Sequence, residues 1–118
     1  MEADKTKLLK EITGAQLTSV DFVLDYLILG FDQKGALTTL VWPELLIVGE
    51  SFTFGAPGYR DRLCSLIPKV VLSVEVSDDK RITISFEDTS SIVIALRTYN
   101  RSGERAIFTT AKRGLAVW

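Results

Sequence analysis

The sequence predicts an α+β fold, mainly an antiparallel β sheet or partly closed barrel built from two pseudo-repeated three-strand units, with an N-terminal helix and a connecting helix. Three observations carry this. Apolar residues alternate at period two through most of the chain, a Pro/Gly-punctuated stretch of helical spacing stands in the middle, and the alternating segments on its two sides match. The 118 residues suit one domain, 1–118, which is long enough to bury a core without a metal or disulfide.

The elements follow in order. Asp4 to Ile12 reads as a short helix: Asp4 caps it, Leu8, Leu9 and Ile12 gather on one side, and Gly14 suits its exit. Val20, Phe22 and Leu24, then Leu27, Leu29 and Phe31, alternate as two strands. Asp32 to Gly35 is a polar turn, after which Leu37, Thr39 and Val41 complete a hairpin. Trp42 and Pro43 interrupt the pattern because proline brings no amide hydrogen to a ladder; strand-like runs resume at Leu45 to Val48 and Ser51 to Phe54. Gly55, Ala56, Pro57 and Gly58 punctuate the chain, and Tyr59, Leu63, Leu66 and Ile67 give a connecting helix over roughly 57–67 that Pro68 ends. Period two then returns at Val70 to Val76, Ile82 to Phe86 and Ile92 to Leu96, followed by Ala106 to Thr110 and Leu115 to Trp118. About eight strands result, and the two helices cover apolar faces, with room for both on one side.

The two β segments, roughly 14–54 and 68–118, can be superposed. At a separation of 54 positions Gly14 meets Pro68, Ser19 and Val20 meet Ser73 and Val74, Asp21 meets Glu75 and Phe22 meets Val76. One residue is then inserted, and Leu27, Leu29, Phe31 and Asp32 fall on Ile82, Ile84, Phe86 and Glu87, with Leu37, Thr39 and Val41 on Ile92, Ile94 and Leu96. Two meanders with ordinary turns share such alternation by default, so both duplication and coincidence fit. The positions facing away from the core differ: Tyr26 and Ile28 in the first unit, Arg81 and Thr83 in the second. An apolar second face needs cover, from a helix or from another chain, because each buried side chain of that size is worth roughly 1.5 to 3 kcal/mol. Tyr26 and Ile28, together with the large aromatics Trp42 and Trp118, are therefore candidate contacts of a homo-oligomer.

The formal charge of −1 gives no global field toward nucleic acid or anionic membrane. Its halves differ, with four basic against eight acidic residues in 1–58 and ten against seven in 59–118. Arg97, Arg101, Arg105, Lys112 and Arg113 cluster near Tyr99 and Phe108, a set suited to an acidic partner; two rings are thin support for single-strand nucleic-acid binding, so nucleic acid is not an expected partner, and edge-strand arginines that discourage aggregation are the plainer reading of the cluster. No apolar run approaches the roughly 20 residues that cross a bilayer, and no leader pattern opens the chain, so a reducing cytosol is the expected location.

Chemistry is sparse. Without histidine the chain loses the usual general base and the commonest metal ligand, and one cysteine, Cys64, makes neither a disulfide nor a cysteine-rich zinc site. Cys64 is expected to pack inertly on the connecting helix. Asp78-Asp79 and Glu87-Asp88 read as solvated turns, and Gly49, Gly55 and Gly58 match no phosphate-binding spacing, so no cofactor is expected.

Pro57, Gly58, Tyr59, Arg60, Asp61, Leu63, Leu66 and Ile67, followed by Val71, Val74, Val76 and the Ile82 to Phe86 strand, resemble small bacterial β-rich proteins that carry a proline-arginine-aspartate helix between two meanders. The general character is also similar to that of orphan proteins encoded by mobile gene cassettes. The resemblance implies the fold and no chemistry.

The function expected on these grounds is that of a non-enzymatic interaction protein, acting through self-association or by binding a protein partner as an immunity-type inhibitor does. The alternative is a small-ligand binder or carboxylate enzyme with a cavity between the units, where Asp21, Glu75 and an arginine such as Arg97 or Arg101, with Tyr99, form a polar site.

Overall fold

The computed structural model describes residues 2–77, 80–96, 105–111 and 114–118. Helix α1 spans Glu2–Leu9 and tightens into a 3-10 turn over Lys10–Ile12. Strands β1 (Leu17–Val23), β2 (Tyr26–Phe31), β3 (Gly35–Thr39), β4 (Glu44–Ile47) and β5 (Glu50–Phe52) precede helix α2 (Tyr59–Cys64). Strands β6 (Val71–Ser77), β7 (Arg81–Phe86), β8 (Ser91–Ala95), β9 (Ala106–Thr110) and β10 (Leu115–Val117) follow it. The fold is α+β with two antiparallel five-stranded sheets, in the orders β1-β2-β3-β9-β10 and β5-β4-β8-β7-β6, and neither closes into a barrel.

Each half contributes a three-strand meander to one sheet and a hairpin to the other. In the first half the switch occurs at Trp42-Pro43. The amide of Leu40 still bonds to the Arg105 carbonyl in the first sheet, but Pro43 has no amide to offer, and the chain crosses to pair β4 with β8. The alternation alone gave three strands per unit; the exchanged hairpins bring each to five.

The two meanders agree in register residue by residue. In β1 and β2, Val20 faces Leu29, Asp21 faces Ile28 and Phe22 faces Leu27, with a bulge between Leu17 and Ser19. In β6 and β7, Val74 faces Ile84, Glu75 faces Thr83 and Val76 faces Ile82, with the bulge between Val71 and Ser73. The likeness extends further back than the strands. Thr13 N to Lys10 O and Ala15 N to Ile12 O recur as Ile67 N to Cys64 O and Lys69 N to Leu66 O, so α1 and α2 are themselves counterparts, with Leu9 matching Leu63 and Ile12 matching Leu66. All four of these side chains are fully buried. The halves meet on a pseudo-two-fold axis where Gln16 bridges its own counterpart Val70, flanked by the reciprocal bonds Leu17 N to Lys69 O and Val71 N to Ala15 O.

The inner faces of the sheets share one core, including Leu27, Leu29, Leu37 and Phe108 from one and Ile82, Ile84, Phe86 and Ile92 from the other. The helices do not share a side. Helix α1 packs on β6 and β10 and α2 on β1 and β4, so each closes one flank of the sandwich, bridging the margins of the two sheets. Leu24, assigned to a strand by alternation, lies in the two-residue turn between β1 and β2 and is 90% exposed. Phe54 likewise falls beyond β5, and Cys64 is exposed instead of packed, because the inward positions of α2 belong to Tyr59 and Leu63.

Candidate functional site

The flank closed by α2 collects aromatic rings and guanidinium groups. Gly58 enters the helix at φ +80, a left-handed conformation that glycine adopts without a Cβ clash, and this turns Tyr59 inward. The Tyr59 hydroxyl donates to the Pro43 carbonyl at 2.5 Å, tying α2 to the point where the chain changes sheets. Burial pushes the Tyr59 phenol well above its ordinary pKa, so it stays a neutral donor. Phe54 meets Tyr59 edge-on with centroids 5.9 Å apart, and Trp42 stacks on Phe54 at 4.2 Å and 12°. Phe54 nevertheless remains 47% exposed.

Two arginines border this surface. Arg60 lies 5.6 Å over the Phe22 ring and Arg62 lies 5.3 Å over Phe52. Beside Arg60 is a depression of about 300 Å³ lined by Phe54, Gly58, Tyr59 and Asp61, and beside Arg62 a groove of about 220 Å³ lined by Ile47, Val48, Glu50 and Phe52.

Val48 is the least expected residue here. Ile47 pairs with Glu50, leaving Val48 and Gly49 as a two-residue loop with φ +52 and +76. Positive φ at both central positions marks a type I′ hairpin, which favours asparagine or aspartate before glycine; a β-branched residue there is a steric outlier. The Val48 side chain is 90% exposed, so burial returns nothing for the strain.

No family model matches the chain, and no curated protein or solved structure proves similar to it.

The residues singled out in the sequence are dispersed. Trp42 belongs to the α2 flank, whereas Trp118 lies half-buried on the opposite flank with Lys5 Nζ 5.8 Å from its ring. Tyr26 and Ile28 are half-buried on the outer face of the first sheet, Tyr26 opposite Val23 and Ile28 in the row Asp21, Ile28, Thr38, Ile107, Val117. Asp21 and Glu75 do occupy matched positions, but both are exposed on the outer faces of different sheets and do not converge on a pocket. Arg97, Tyr99 and Arg101 lie outside the described residues. Among the described residues no group of three acidic or cysteine side chains is placed to hold a metal.

Sequence reasoning missed Phe22, Val48, Phe52, Phe54, Arg60 and Arg62 as a surface, because they come from three separate segments. One local signal was present: Val48-Gly49 occupies a hairpin loop where Asn-Gly is the common choice.

Proposed function

We propose that this chain is a non-enzymatic interaction protein whose contact surface is the flank formed by α2 and the β4–β5 hairpin. A small protein that works by occupying a partner's surface, as an immunity-type inhibitor does, needs no reacting groups. It needs an anchored apolar surface with arginine and aromatic side chains, the residue types that dominate binding energy at interfaces. The observation that carries the reading is Val48. A non-glycine residue in the left-handed region costs about 1 to 2 kcal/mol, and here it holds an aliphatic side chain in water. Neither the fold nor solubility benefits, whereas a partner that covers Val48 does.

The test is photo-crosslinking in the producing cell, with a photoreactive residue replacing Val48 or, as control, Thr83 on the outer face of the second sheet. A discrete adduct at position 48 and none at position 83 supports the reading. Equal labelling at both positions, or none at either, rejects it.

A second reading, self-association through the outer face of the first sheet, has its own support. Ile28, Thr38, Ile107 and Val117 run across that face, where the second sheet carries Thr83, Val93 and Glu44 at the corresponding positions. Neither helix covers this row, since both pack at the flanks.

A further inference from the structure

The partner of the α2 flank can be read from the charges beside Val48, an inference that rests on the surface proposed above. The groove holds one acid, Glu50, and one base, Arg62, and the two make no ion pair with each other within 4 Å. Among the described residues neither side chain hydrogen-bonds or pairs with any other charged group; Arg62 only lies over Phe52. The same groove is lined by Ile47 and Phe52 as apolar wall and by Val48 as an exposed aliphatic group. One acid, one base, a projection and a recess within a single patch is the pattern that a two-fold contact uses, because each copy then supplies what the other lacks.

The molecule contains its own control. The pseudo-symmetry places Leu8 where α2 has Arg62, Gly114 where β5 has Glu50 and Ala116 where it has Phe52. That counterpart is closed: a Cβ built on Gly114 would stand 3.3 Å from Leu8 Cδ1 and 2.9 Å from the Thr110 hydroxyl. Among the described residues the framework is therefore tightly packed at Gly114 and Leu8 on one flank, whereas the matching Glu50 and Arg62 line an open groove on the other. The open form is not a requirement of the fold.

We propose that the groove between the β4–β5 hairpin tip and α2 is a two-fold contact with a second copy of this chain, in which Val48 of each copy enters the other's groove and Glu50 pairs with Arg62 across the axis. The groove is small beside the roughly 1,600 Å² that a standard stable interface buries, so the association is weak and concentration-dependent.

Sedimentation from micromolar to near-millimolar protein tests this. The native chain is expected to shift from monomer to dimer over that range. Glu50→Arg alone and Arg62→Glu alone each put like charges face to face and are expected to stay monomeric. An equimolar mixture of the two variants restores opposite charges at both contacts and is expected to dimerise, as is the double variant. Circular dichroism on each single variant separates loss of association from loss of folding, and rescue in the mixture requires folded subunits. A native chain that stays monomeric throughout overturns the inference, and so does a dimer that persists in both single variants but is lost in Ile28→Glu. The readouts separate the two claims: a crosslink from position 48 to a protein other than this chain, with monomer in the centrifuge, leaves the interaction surface standing and removes only the second copy as its occupant.

Discussion

At the scale of single residues, two positions work against the fold's stability, and the other half of the chain shows the alternative to one of them. Replacing Val48 by Asn restores the loop residue that a type I′ hairpin favours, so Val48→Asn is expected to stabilise the isolated chain by about 1 kcal/mol, seen as a melting temperature several degrees higher. The same substitution is expected to abolish dimer formation in the centrifuge, an opposite movement of stability and association that a purely structural valine would not produce. Thr39 is fully buried, and its hydroxyl meets no hydrogen-bond partner among the described residues. Its counterpart in the second meander is Ile94. Thr39→Val removes an unpaired buried hydroxyl at nearly constant shape and is expected to raise unfolding free energy by about 1 kcal/mol in a denaturant titration.

At the scale of elements, the turn between β7 and β8 is held by a device that its counterpart lacks. The Asp88 carboxylate accepts from Lys69, from the Ser90 hydroxyl at 2.5 Å and from the Ser90 amide at 3.0 Å. The Lys69 hydrogen bond first, and those of Ser90 after it, lower the Asp88 pKa from 3.8 to about 2. A carboxylate lowered by folding lends stability that is fully present above its unfolded value and disappears as pH falls from there through the folded value. Between pH 4 and 2 the native chain is thus expected to lose stability more steeply than Asp88→Asn, measured as the urea midpoint at each pH. The first meander makes the corresponding turn with Gln33 at φ +57 and Gly35, and the residue matching Lys69 is Ala15. Strands and turns of this kind were legible because alternation and turn chemistry are local: β2, β3, β7 and β8 lie where the apolar positions placed them, while β1 stops short of Leu24 and the bulge in β6 leaves Leu72 exposed. The pairing partners of the hairpins were not. The sequence around Leu45 and Phe108 reads as strand whichever sheet it joins, and only the amide missing at Pro43 marks the crossing. The candidate surface was illegible for a related reason: Arg60 meets Phe22, and Arg62 meets Phe52, through packing, not through spacing along the chain.

At the scale of the whole molecule, the sheets and the halves divide the chain differently, and this couples the halves. Neither sheet is complete without strands from both, and one core runs between them. Unfolding is therefore expected to be all-or-none. Trp42 stands on one flank and Trp118 on the other, so Trp42→Phe and Trp118→Phe leave one reporter each, and their fluorescence transitions in urea should have the same shape and, after correction for each variant's own stability, the same free energy. Two distinguishable transitions would show separable units. The reciprocal donation of hairpins also makes the covalent link before α2 dispensable in principle: a chain severed between Ala56 and Pro57 leaves two pieces, each lacking the strands that the other supplies. Such fragments are expected to remain disordered when separate and to recover a native circular dichroism spectrum when mixed, each acting as the template on which its companion folds.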